Sequence, residues 1–274
     1  MLSLSEKEIA RMFDTARLAP QARSIVEAAA AIYVRHTQPW LLGLVVHGSA
    51  LKGGFIPGCS DINFQLFLDE HAFRVPGGLP FETCLAIQRD LAQIDLAPFR
   101  CIQGKAFSAV LPSDHTGPVP GAYLLLTGKL PVAEATKEQL WESARSRIST
   151  RPPLLASWLA EDLLQYGKGR LAWHIRGFCT EVWQTAYQVL ILQGHDPFSV
   201  WNLPKPQAIA LLSPETSLGQ TLRAFERAVR IYYPFEASEE EGLAVITTGA
   251  TFLQAVQSWW QEHDRESVSD HQEK

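Results

Sequence analysis

Cysteine is scarce in this chain, long apolar runs are missing, and positive charge is not in excess; each of these absences excludes something. The four cysteines, Cys59, Cys84, Cys101 and Cys179, form no CxxC pair and show no Cys/His spacing of a structural zinc site. They read as reduced thiols rather than a disulfide framework. Apolar runs such as Leu41 to Val46 fall far short of the ~20 residues that a membrane helix requires. The opening stretch MLSLSEKEIARMF carries charges where a secretory leader needs an apolar segment, so a cytoplasmic protein with no membrane partner is expected. Lysine and arginine number 24 against 29 acids, a net charge of −5, which argues against a general nucleic-acid-binding surface. There is no internal repeat and no low-complexity tract.

What is present is bulk. With 274 residues and 46% hydrophobic content the chain can bury a core large enough for two domains. Ser3 and Glu6 have the spacing of a capping box, and Ile9, Met12, Phe13 and Ala16 follow at helical intervals. A second helix is predicted after Pro20, with Ile25, Ala29, Ile32 and Tyr33 on one stripe. Short β-rich runs follow at 41–47, 61–68, 99–103, 106–111 and 122–127. A helix over 80–94 interrupts them, carrying Cys84, Ile87, Leu91 and Ile94 on one face. Strands separated by a helix imply a mixed sheet covered on at least one face.

From about Pro131 onward the pattern is helical, with helices predicted near 137–148, 154–166, 168–193, 205–212, 214–232 and 238–263. The predicted fold class is α+β: a mixed sheet with helices over 1–130, an all-α helical bundle over 131–263, and a frayed polar tail over 264–274. The tryptophans Trp158, Trp173, Trp183, Trp201, Trp259 and Trp260 read as bundle core.

The informative stretch is LVVHGSALKGGFIPGCSDINFQLFLD, residues 44–69. An apolar strand ends in Gly48-Ser49, a glycine-rich segment follows, and a second strand begins at Asp61. A phosphate tail needs backbone N–H groups and a hydroxyl with no side chain blocking the approach, which glycine and serine provide. A helix beginning near Ala50 would aim its positive end at the same place. Strand residues two apart share a face, so a D-x-D pair would set two carboxylates side by side for a pair of metal ions. Here the pair is Asp61-Ile62-Asn63, and its second member is neutral.

The segment resembles the nucleotidyltransferase superfamily related to DNA polymerase β, whose motif is an apolar strand, Gly-Ser, a variable loop and D-x-D or D-x-E. With the helical half behind it, the chain resembles the two-domain aminoglycoside nucleotidyltransferases. The resemblance implies transfer of a nucleoside monophosphate from ATP or another nucleoside triphosphate to a hydroxyl of a small, aminoglycoside-like acceptor, with no nucleic-acid partner. It implies nucleotide binding by Gly48, Ser49, Lys52 and Ser60, Mg²⁺ held by Asp61 and Asn63, and catalytic roles for Asp61 and for Glu181 as general base. Mg²⁺ would bind weakly, or only with nucleotide, because two of the family's three carboxylates are missing: Asn63 replaces one, and 98–103 contains no third acid, Asp95 just before it being the less favoured candidate for that place. The alternative is a nucleotide- or small-ligand-binding pseudoenzyme of the same fold. A ribonuclease toxin is excluded, because Arg170 and His174 lack the four-to-six-residue separation of that signature.

Overall fold

The computed structural model describes residues 13–74, 78–112, 115–167 and 169–269. The helix expected from the Ser3 and Glu6 capping box lies outside them. The chain divides into two compact units, Met1–Thr136 and Lys137–Lys274.

The first unit is a four-stranded mixed sheet with helices. Its elements are α1 (Pro20–Thr37), β1 (Leu41–His47), α2 (Ser49–Lys52), β2 (Ile62–Leu68), a 3-10 turn (Glu70–Ala72), α3 (Phe81–Leu91), β3 (Ile102–Phe107) and β4 (Tyr123–Gly128). Strand order is β3-β2-β1-β4. β1 runs antiparallel to both β2 and β4, whereas β2 and β3 are parallel. Parallel neighbours need a crossover, and α3 lies within it.

Pro20 starts α1 as a first-turn proline, where its missing N–H costs nothing. The buried stripe of α1, including Ile25, Ala29 and Tyr33, packs in one core with Leu44, Val46, Ile62, Phe64 and Leu66. Phe64 is 1% exposed, and its ring meets that of Tyr33 edge-on at 5.2 Å. On α3 only Ile87 is buried, and Cys84 is exposed, so the stripe predicted there is narrower than its spacing suggested. The strands predicted over 99–103 and 106–111 are one strand, β3. Gln103, Gly104 and Lys105 break the apolar pattern because β3 is the sheet edge. Gly104 sits under Tyr33: a Cβ there would lie 2.5 Å from Oη.

The second unit is all helix: α4 (Lys137–Leu163), α5 (Arg170–Leu192), α6 (Pro197–Asn202), α7 (Lys205–Leu211), α8 (Ser217–Tyr232) and α9 (Glu239–Ser269). The helices predicted near 137–148 and 154–166 are one, with Pro152 and Pro153 inside it. Ser149 and Thr150 both donate back to the Ser146 carbonyl just before the prolines. α6 escaped sequence reading although Asp196 caps it and Pro197 starts it. The final helix continues to Ser269 rather than stopping at 263.

α5 is buried along most of its length, through Ile175, Phe178, Val182 and Val189. Trp183 joins this core at 6% exposure, but Trp158 and Trp173 are 48% and 68% exposed, against the expectation that they would be core. Among the described residues no helix is long and apolar enough to cross a membrane.

Candidate functional site

β1 delivers the chain to the Gly48-Ser49 turn. Gly48 has φ +82°, in the left-handed region that glycine tolerates, and a Cβ there would lie 3.2 Å from Asn63 Nδ2. The turn and the start of β2 are therefore in contact. α2 is a single turn, its amides from Leu51 and Lys52 both donating to the Gly48 carbonyl. Gly53, at φ +76°, ends it. The helix expected to aim a dipole at this point is too short for an appreciable one, so any anion held there relies on the turn and on side chains.

The loop between the turn and β2 is closed by Ser60. Its buried hydroxyl accepts from the Ile56 amide at 2.8 Å, and its carbonyl accepts from Arg100 N at 2.9 Å. This hydroxyl braces the loop. Ser49 is buried at 9% exposure, while Lys52 is half-buried.

Register fixes which side chains share the face opposite α1. Paired residues on adjacent strands point the same way, as do residues two apart on one strand. Asn63 pairs with His47 on β1 and with Gln103 on β3; His47 pairs with Tyr123 on β4. One row across the sheet is thus Gln103, Asn63, His47, Tyr123. The next row along carries Lys105, Gln65 and Val45. Farther along, Phe107, Phe67 and Val45 form a small apolar cluster. In the other direction Asp61 stands beside Cys101, whose thiol donates to Asp61 Oδ1 at 3.1 Å.

The His47 ring is pushed down to about 4, first by burial and then by the Lys52 and Lys105 ammonium groups. It is neutral at pH 7. Tyr123 donates to Glu134 Oε1 at 2.8 Å, and burial together with that carboxylate raises the phenol to about 12.

Of the residues expected at the site, Gly48, Ser49, Lys52, Asp61 and Asn63 gather at this end of the sheet. Glu181 is half-buried on α5 of the second unit. Asp95 is not a third acid for this row: its carboxylate accepts from Ala97 N, and it lines a cavity of about 670 Å³ between α1 and α3. Arg145 and Arg151 stack on Trp141 and Trp158, and Arg147 donates to Gln184. Sequence reasoning missed Cys101, Gln103 and Lys105, which only the β2/β3 pairing brings to the row.

For the Mg²⁺ centre expected at Asp61 and Asn63, weak or dependent on nucleotide, the protein's own donors are one carboxylate, neutral amides and a nearby lysine. Mg²⁺ is held through one or two carboxylates together with substrate phosphates, so these residues alone make a poor site for it. Among the described residues no group of three or more His, Cys, Asp or Glu side chains is placed to hold a metal ion.

No protein-family model matches the chain. No curated protein matches it either. Among solved structures the chain is similar to spectinomycin adenyltransferase AAD(9) from Enterococcus faecialis, determined with ATP and spectinomycin. Identity is 14% and the TM-score 0.49, over 84% of this chain and 98% of that one.

Proposed function

We propose that the first unit binds a nucleoside triphosphate at the Gly48-Ser49 turn, as a nucleotidyltransferase-type domain that does not carry out two-metal transfer. The observation that carries this reading is the row itself. The glycine turn contacts Asn63, and Asn63 pairs with Gln103 on β3, so the positions that follow Asp61 and Cys101 along this face are both uncharged amides. A pair of divalent ions would meet one carboxylate where two-metal chemistry relies on several.

Nucleotidyl transfer to a hydroxyl of a small, aminoglycoside-like acceptor is the second reading, favoured by the retention of Asp61 beside the turn. Calorimetric titration with ATP, paired with a pyrophosphate-release assay over a panel of aminoglycosides and polyols, separates the two. The binding reading expects ATP affinity without pyrophosphate release. Release that depends on Mg²⁺ and on an acceptor would hand the assignment to transfer. Asn63→Asp sharpens the test, since a second carboxylate at this position should make Mg²⁺ strengthen ATP binding. A chain that binds no nucleotide under any condition overturns both readings.

A further inference from the structure

We infer that Lys105, with Lys52, takes the place of the divalent cation: the site binds its phosphate-bearing ligand in the metal-free form. This rests on the nucleotide-binding reading above and concerns what neutralises the ligand's charge.

The placement follows from strand geometry. Lys105 is the β3 residue two positions beyond Gln103, so it shares the face of the Gln103-Asn63-His47 row and pairs with Gln65. Lys52 is the last residue of α2, four residues after the turn glycine. Both ammonium groups act on the neutral His47 ring of that row. The same face carries the Asp61 carboxylate, which accepts from the Cys101 thiol. Glu134 accepts from the Tyr123 hydroxyl on the opposite edge strand.

A lysine is a compact point charge with three donors and binds phosphate oxygens directly. A magnesium ion brought in by the ligand would bring its positive charge beside two ammonium groups. Magnesium and this site therefore compete for the same phosphate oxygens. Gln103 and Asn63 supply neutral donors to the remaining oxygens, and the glycine turn leaves the approach open.

The test is calorimetric titration of the full chain with ATP and, separately, with inorganic triphosphate, each in EDTA and in excess Mg²⁺. Both ligands should bind in EDTA, and Mg²⁺ should weaken the binding. Lys105→Gln should weaken both ligands roughly 10- to 100-fold, the loss of one charge-assisted contact, and Lys105→Arg should restore most of it. Lys105 is exposed, so the variant keeps its fold, which far-UV circular dichroism verifies. Nucleotide binding that requires Mg²⁺ would overturn the inference while leaving the nucleotide reading intact. So would Lys105→Gln titrating like the unaltered chain, or ATP binding in EDTA without triphosphate binding. Failure of the unaltered chain to bind either ligand in any condition overturns the nucleotide reading itself.

Discussion

The two faces of β2 obey different rules. Ile62, Phe64 and Leu66 are buried against α1 and leave no room for change. Asp61, Asn63 and Gln65, interleaved with them, are half-buried and polar. One strand thus carries both the stability of the first unit and its candidate chemistry, and the alternation keeps the two separable. Chemistry on one face can drift, an acid becoming an amide, without disturbing the core that positions it.

The separation can be broken most forcefully at Phe64. Phe64→Ala should cost about 3–5 kcal/mol of unfolding free energy in a denaturant titration, because it removes a fully buried ring and leaves a cavity. Asn63→Asp, next to it on the other face, should move the same curve little. Equal losses at the two positions would show that the faces are not independent.

A smaller effect is expected at Gly104, where the faces are coupled. A methyl there would meet the Tyr33 hydroxyl at 2.5 Å and its ring carbons at 2.9–3.2 Å, and Tyr33 is itself 4% exposed and has little freedom to yield. Gly104→Ala should cost about 1–3 kcal/mol by overpacking. It should also weaken nucleotide binding, since β3 must shift and take Gln103 and Lys105 with it. Unchanged affinity in a destabilised variant would mean that the edge strand contributes nothing to the site.

The smallest effect is a pH dependence. His47 is held near 4 in the folded chain against about 6.5 when unfolded, so the unfolded state takes up the proton first as pH falls. Stability contributed by the neutral ring is complete above about pH 6.5 and is lost progressively down to about pH 4. The ring is half-buried, so screening reduces the effect to roughly 1–2 kcal/mol. His47→Gln should flatten the stability profile between these limits, read from thermal melts at successive pH values. A variant with the same acid-side slope would assign that slope to other groups.

Much of the covered face was legible in the sequence. Pro20 marked the start of α1, the apolar spacing of Ile25, Ala29 and Tyr33 marked its buried side, and the alternation after Asp61 marked β2. β3 was misread as two strands because an edge strand need not alternate. Its Gln103-Gly104-Lys105 stretch has the composition of a turn and the conformation of a strand. The gap between the helices predicted near 137–148 and 154–166 is itself helical and contains Pro152 and Pro153, with the Ser149 and Thr150 hydroxyls donating to the Ser146 carbonyl just before them.

For the site the boundary is sharper. Gly48, Ser49, Asp61 and Asn63 lie within one contiguous motif and announced themselves. Cys101, Gln103 and Lys105 lie about forty residues away and have no meaning until the parallel register sets them beside Asp61, Asn63 and Gln65. Pairing register depends on tertiary packing, and local sequence does not contain it. Glu181 was named because the resemblance calls for an acid outside the metal site, and its helical spacing identifies a stripe but not what the stripe faces.

The parallel pairing of β2 with β3 also makes positions 101, 103 and 105 a column that can be read in any sequence aligned to this one. An acid at 103 beside an acid at 63 would mark a chain equipped for metal; an amide at both with lysine at 105 would mark a chain that meets a phosphate with a fixed cation. Three letters from two strands thus stand in for the chemistry of one face, because the register keeps them adjacent whatever the loops between them do.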